Sequence, residues 1–314
     1  MIRKILKWTG LILLFLAAGI TIITASRQHL KYEAPFPVIK VSKDSLVIAQ
    51  GKHLVFGAAH CINCHSGANA DSLINLGLPV DLTGGFEFDL PVGKIYSKNI
   101  TPDIETGIGK YTDEQIARLL RYGVRPDGTA VFDFMPFHNM SDEDLTAVIS
   151  YLRAQRAVKK QVPANTLNGL GYVVNAFMVK PVGPEGEVPK AIVKDSSVGY
   201  GKYIAMSVAN CNGCHTLRDM AGAYIGEPFA GGGPFEEPGK PTLYPPNITP
   251  DSSSRIFGWS EQDFIRRFRM GKSISYSHMP WDAFKRMDNI ELKAVYRFLK
   301  TVQPAKTPPV KPKA

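Results

Sequence analysis

This chain has no cysteine to spare. Four are present in 314 residues, at positions 61, 64, 211 and 214, and each pair is followed directly by a histidine. None is left over for a structural disulfide. Convincing strand alternation is missing too, so the expected class is all-α. No basic helix or aromatic-interleaved stripe accompanies the net charge of +9, which argues against nucleic acid as a partner. Low-complexity sequence is absent from the bulk of the chain, and one apolar run alone is long enough to concern a membrane.

That run is Trp8 to Ala25, which carries no charge. As a helix it would span about 27 Å, close to the hydrocarbon thickness of a bilayer. Arg3, Lys4 and Lys7 precede it, and Arg27 and Lys31 follow it. The basic N-terminal side is expected to stay cytoplasmic, with the body across the inner membrane on the periplasmic side. A cleaved signal peptide is the rival reading. Ile23-Thr24-Ala25 is a poor cleavage site and no cysteine is available for a lipid anchor, so residues 1–30 are expected to form an uncleaved single-pass anchor. Lys300, Lys306, Lys311 and Lys313 gather more of the positive charge at the other end, and residues 304–314 read as a disordered basic tail.

Laid on itself, the chain repeats at an offset of about 150 residues, a domain-sized duplication. Gly51-Lys52-His53 matches Gly201-Lys202-Tyr203, and in both copies the first motif cysteine follows ten residues after the glycine. Asn99-Ile100-Thr101-Pro102-Asp103 recurs as Asn247-Ile248-Thr249-Pro250-Asp251, and Met135-Pro136 as Met279-Pro280. Each copy reads as three helices. The first runs into the cysteine motif from Ser45 or Ser196. The second is capped by Thr112 or Ser260 and stopped by Gly123 or Gly271. The third opens on a capping-box pattern, Ser141 with Asp144 or Asp288 with Glu291. The copies occupy residues 45–153 and 195–303, joined by a Pro- and Gly-rich linker, 154–194, expected to wrap along them.

The Cys61-Ile62-Asn63-Cys64-His65 and Cys211-Asn212-Gly213-Cys214-His215 motifs have the spacing of covalent haem attachment. Two thiols three apart on one turn reach the two vinyl groups of a haem, and the adjacent histidine faces the iron. A zinc or redox Cys-x-x-Cys is the competing account. Two motifs at equivalent places, consuming every cysteine of an exported chain, favour two covalently bound haems c. For the sixth iron position, Met135 and Met279 are the methionines that align in a Met-Pro pair. Most methionines fill core gaps, but a thioether is a soft ligand that favours ferrous iron.

His138 and His278 are nearby rivals, although they stand differently relative to the Met-Pro pair. Met140 and Met287 read as packing before the third helix, and His29, His53 and His60 as ordinary surface or helix residues. Asn99, Thr101, Asn247 and Thr249, with Gly84-Gly85 and Gly231-Gly232-Gly233, are expected to pass under the haem edges. There the Asn and Thr side chains can reach propionates, or simply make turns. Arg118 and Arg121, repeated as Arg266 and Arg269, are expected on a solvated helix face, with propionate pairing as the alternative.

The combination of Asn99 to Asp103, Thr106-Gly107-Ile108-Gly109, Tyr111 to Glu114, Tyr122-Gly123-Val124, Asp127-Gly128 and Met135-Pro136 resembles the membrane-bound multihaem cytochrome c subunits of bacterial alcohol, aldehyde and gluconate dehydrogenases. Those commonly carry three haem domains where this chain has two, and its second copy reads Ser252 to Gly258 in place of the Thr-Gly-Ile-Gly segment. The resemblance implies two tandem class I cytochrome c domains, His65/Met135 and His215/Met279 ligation, and periplasmic electron transfer rather than catalysis. The implied partners are a periplasmic dehydrogenase or redox protein on one side and a terminal oxidase or quinone-linked complex on the other. The enzymatic alternative is a dihaem peroxidase-like or thiosulfate-oxidising protein. The thiosulfate-oxidising type resembles proteins that need a further cysteine ligand, which is missing here. A haem-based sensor would need an output domain that the sequence does not show.

Overall fold

A computed structural model describes residues 2–219, 222–236 and 239–308. It opens on a long helix, α1 (Ile2–Ser26), whose apolar side chains are nearly all exposed. Next comes α2 (Ser45–Phe56), started by Asp44, whose carboxylate accepts from Leu46 N at 2.8 Å. The first cysteine motif lies on a single turn, α3 (Ile62–His65), followed by α4 (Ala70–Asn75). A hairpin of β1 (Glu87–Leu90) and β2 (Gly93–Tyr96) leads to α5 (Asp113–Tyr122) and α6 (Asp142–Ala154).

The all-α expectation therefore needs correction. β1 and β2 pair antiparallel with Phe88 opposite Ile95, and β3 (Thr166–Leu167) adds a third short strand beside β2. Glu87-Phe88-Asp89-Leu90 does alternate, with Phe88 and Leu90 the more covered pair. Four residues are too few to stand out from background periodicity. The linker also carries structure: β3 is followed by α7 (Gly169–Phe177), capped by Asn168.

The later part repeats the plan. Ser197 caps α8 (Val198–Tyr203), which passes into a π-helical turn at 204–208. The second cysteine motif forms α9 (Cys211–His215), and α10 (Glu261–Arg269), α11 (Trp281–Phe284) and α12 (Asn289–Leu299) follow. In both copies the first helix closes on an i→i+5 bond, Ala59 N to Leu54 O at 2.9 Å and Ala209 N to Ile204 O at 2.8 Å. The next residue, His60 or Asn210, takes the left-handed conformation (φ 42° and 50°) that turns the chain into the motif.

The expected caps form at Thr112 with Gln115 and at Ser260 with Asp263, and Gly123 ends α5 at φ 64°. Ser141 caps α6 by accepting from Asp144 N, but Asp144 does not complete the box. Its buried carboxylate instead accepts from Tyr203 Oη at 2.8 Å and pairs with Lys194 at 2.8 Å. Glu291 does close the box on α12, accepting from Asp288 N at 2.6 Å.

These two acids reveal how the halves meet. Tyr203 on α8 reaches Asp144 at the start of α6, and His53, the matching residue on α2, reaches Glu291 at the start of α12 at 2.9 Å. Equivalent positions thus contact each other reciprocally, the pattern of a two-fold interface built within one chain. His53 is a clamp at this junction rather than an ordinary helix residue. The Glu291 carboxylate raises its pKa above the usual 6.5, against burial and Lys194, with Asp288 adding to the rise. A raised histidine stabilises fully below its unfolded pKa and loses that contribution as pH climbs through the folded value. Stability should therefore fall as pH rises above about 6.5. His53→Ala should flatten that slope and cost about 1–3 kcal/mol at low pH by stripping a partner from buried Glu291. Urea midpoints against pH for the two proteins would check both effects.

The residues 304–308 that begin the expected disordered tail are seated against the body: Ala305 O accepts from Asn247 Nδ2 at 2.7 Å, and Thr307 N donates to Ser253. The remainder of that tail, 309–314, lies outside the described residues.

Candidate functional site

Each cysteine motif opens onto its own apolar cavity. The first, of about 360 Å³, is lined by Cys61, Cys64, His65 and Met135. The second, of about 400 Å³, is lined by Cys211, Cys214, His215 and Met279. All the residues expected to attach a haem and ligate its iron are therefore brought together, copy by copy. Cys61 and Cys211, 150 apart in sequence, lie in different cavities, while Cys61 and Met135, 74 apart, share one.

The histidines are set by matching backbone carbonyls. His65 Nδ1 lies 2.7 Å from Lys98 O and His215 Nδ1 lies 2.7 Å from Pro246 O. A carbonyl only accepts, so Nδ1 carries the proton in each ring and Nε2 keeps its lone pair for a metal. Burial lowers both imidazole pKa values, which holds the rings neutral. The strand behind each ring is fixed the same way in both copies. Gly84 N donates to His65 O and Gly231 N to His215 O, at 2.8 and 2.9 Å. At φ 67°, a Cβ on Gly84 would fall 2.5 Å from Lys98 C, so that position admits only glycine.

Of Asn99, Thr101, Asn247 and Thr249, the residues expected to reach propionates, Asn99 lines a cavity. All four are buried and their polar atoms are taken up inside the protein. Asn99 Oδ1 accepts from Thr101 N and Oγ1, and its Nδ2 donates to Val158 O at 2.9 Å. Asn247 and Thr249 repeat this with Ala305 O in place of Val158 O. Both segments make the Asn turn in which the side chain satisfies the backbone two residues on. These turns follow immediately after Lys98 and Pro246, so they hold the carbonyls that orient the two histidines.

Arg118 and Arg121 are not solvated. Arg118 donates to Arg125 O and stacks 4.3 Å from the Phe36 ring, while buried Arg121 pairs with Asp142 at 2.9 Å. Arg266 and Arg269 stay at the surface, on Asp263 and Asn289. None of the four lines a cavity. The cations that do are Lys98, Lys110 and Arg125 in the first and Arg255 and Arg267 in the second. They occupy unmatched positions, so comparing the copies did not single them out. Arg267 lies 3.6 Å over the Trp281 ring at the cavity wall.

Of the rival histidines, His138 is eliminated: Nδ1 bonds Arg121 O and Nε2 bonds Asp133, both at 3.0 Å, away from the cavity. His278 lines the second cavity beside Met279, its ring stacked on Phe235 at 4.7 Å. Met140 is buried and lines the first cavity with Met135, whereas Met287 is a buried core residue outside the second. His60, expected to be ordinary, lines both cavities, with its ring 5.4 Å from Phe284 in an edge-on contact.

Two thiols, a histidine and a methionine thioether on one apolar cavity form a donor set that fits a haem. Desolvation pushes the thiols of Cys61 and Cys211 up to about 12 and Cys64 to about 11, so all three are protonated in the apolar pocket, the form that adds across a vinyl group to make a thioether. Among the described residues, the grouping of His, Cys, Asp and Glu tight enough for an ion is His53, Asp288 and Glu291, away from both motifs.

Residues 48–156 match the family model for cytochrome c. Over 285 residues the chain is 28% identical to the cytochrome c subunit of a quinone alcohol dehydrogenase from Gluconobacter oxydans (strain 621H), covering 82% of this chain and 55% of that protein. It is likewise 28% identical over 243 residues to the cytochrome subunit of fructose dehydrogenase from Gluconobacter japonicus, covering 72% and 45%. A diheme cytochrome c-type protein of Cereibacter sphaeroides is 26% identical over 232 residues, 71% of this chain and 73% of that one. The chain thus spans about half the length of the dehydrogenase subunits it matches.

Proposed function

We propose, from the match of residues 48–156 to the cytochrome c family model, that this copy and the second at 195–303 are both cytochrome c domains and that the whole is a dihaem electron carrier. The reading rests on one observation made twice: two thiols, a histidine with its Nδ1 proton tied to a carbonyl, and a Met-Pro methionine converge on one apolar cavity. Cys61 and Cys64 would hold one haem and Cys211 and Cys214 the other, with His65/Met135 and His215/Met279 at the irons.

Each haem, when bound, supplies a one-electron ferric/ferrous couple. The chain's part is to position and insulate it. Lys98 O and Pro246 O hold the imidazoles in the ligating tautomer and raise their basicity. Apolar walls limit the water that would reorganise when charge changes. Ligands on both faces would leave no iron position open to substrate, which suits a carrier better than a peroxidase. Electrons would come from a dehydrogenase, as the relatives' names suggest, and pass to a terminal oxidase or a quinone-linked complex. The exposed apolar α1, with basic residues ahead of it, would anchor the protein in the inner membrane and keep both haems on the periplasmic side.

The purified protein should carry two covalent haems per chain by pyridine haemochrome and intact mass. Cys211→Ala with Cys214→Ala should leave one, and the matching pair at 61 and 64 should leave the other. A parent protein with one haem, or with none, would refute the reading.

A further inference from the structure

Helix α7 is inside out. Leu170, Val173 and Phe177, at i, i+3 and i+7, form one face, and that face is exposed. Leu170 is 56% exposed and Val173 42%, and Tyr172 and Met178 widen the patch. The opposite side, Gly171 and Ala176, is the buried one. Gly171 sits so close to the β1–β2 turn that a Cβ would fall 2.0 Å from Val92 O. From Asn168 to Val179 no residue is charged. A nine-residue helix that turns its apolar face outward leaves favourable burial unmade, unless something covers it.

The covering surface is indicated by what α7 is tied to. Arg27, just past the end of α1, donates from Nε to Ala176 O at 2.9 Å and lies 5.2 Å over the Phe177 ring. Gln28 Nε2 donates to Tyr172 O at 2.9 Å, and Asn175 Nδ2 returns a bond to Gln28 Oε1 at 3.0 Å. The exposed apolar helix is thus locked to the point where the exposed apolar α1 leaves its own run. Arg27 lies over its C-terminal ring and Lys180 follows it in the chain, cations that suit anionic headgroups, with Tyr172 as an interfacial aromatic.

We propose that α7 lies in the surface of the same bilayer that α1 spans, with Leu170, Val173 and Phe177 sunk among the headgroups and upper acyl chains. The inference rests on α1 being a membrane span. A single helix would leave the body free to swing, whereas a second contact fixes its orientation. Because α7 abuts the β1–β2 hairpin, and Phe88, Ile95 and Tyr96 of that hairpin line the first cavity, the first haem site would be held near the membrane.

Nitroxide labels on single cysteines test this in the full-length, haem-loaded chain, in vesicles of phosphatidylcholine and phosphatidylglycerol. The labelled variants are Leu14→Cys in α1, Val173→Cys in α7 and Glu187→Cys in an exposed loop. The parent, its thiols closed by haem, should take no label. Collision rates with oxygen and with a water-soluble nickel chelate report depth. The label at 14 should favour oxygen most strongly, and the label at 173 should favour it several-fold more than the label at 187. Position 173 matching 187, while 14 stays lipid-like, would overturn the proposal and leave the anchor intact. Protection of 173 from both reagents would also overturn it, because protein rather than lipid would then cover α7. A nickel-accessible label at 14 would refute the spanning helix, and this proposal with it.

Discussion

Replacing Gly51 or Gly201 by alanine should each destabilise the protein by about 3 kcal/mol or more, at the severe end for overpacking. A Cβ on Gly51 would stand 1.9 Å from Ala147 O, and one on Gly201 would stand 1.9 Å from Ala294 O. In both copies the atom struck belongs to the backbone of the third helix, so no rotamer change relieves the clash. The first helix must move away from α6 or α12, opening the core that Leu145 and Ile149, or Leu292 and Val295, close. Gly169→Ala is the internal control: nothing lies within 4 Å of its Cβ, and the change should be neutral or stabilising by up to about 1 kcal/mol. A thermal melt should move down by roughly 6–12 °C for either core glycine and hardly at all for the control. Equal melts for all three would mean that the helices do not cross where the structure puts them.

Removing the methionine sulfurs should have the largest effect on redox behaviour. The oxidised protein should show the weak methionine-to-iron charge-transfer band at the red end of the visible spectrum. Met135→Ala and Met279→Ala should each abolish about half of it, and the pair should abolish it entirely. Each should also lower one haem's midpoint potential by about 100 mV or more, within the roughly 0.8 V that axial ligation commands, because a thioether favours the ferrous state. Spectropotentiometric titration would resolve one unchanged couple and one displaced. His278→Phe is the discriminating control, since His278 shares the second cavity. If the band survives Met279→Ala at full strength, the second iron is not ligated as proposed.

The internal repeat made much of this legible without coordinates. Caps at Thr112, Ser260 and Asp288, and the stop at Gly123, are local chemistry: a side-chain oxygen within three residues of an orphan N–H, and a residue with no Cβ at positive φ. The Cys-x-x-Cys-His motifs are local as well. Repetition then picked two methionines out of nine, Met135 and Met279, and each lines its copy's cavity, which in the first copy Met140 lines as well.

What stayed illegible has one cause. The part each polar side chain plays depends on what stands opposite it after folding, and sequence spacing carries no such information between distant segments. Asn99 and Thr101 close on Val158 O, 59 and 57 residues away, a partner their own motif does not announce. Asp144 and Glu291 hold the same place on matching helices and look alike in sequence. One is turned out of its capping box by Tyr203, whereas the other keeps its box and still takes His53. His60 lines both cavities, with Phe284 of α11, 224 residues on, against its ring. The sequence by itself determined the helices, their caps, the attachment motifs and their duplication, since these depend on contacts within a few residues. The tertiary structure alone decided which carbonyl orients each histidine, how the halves clasp, and which apolar face is left outside, since those contacts join segments that only packing brings together.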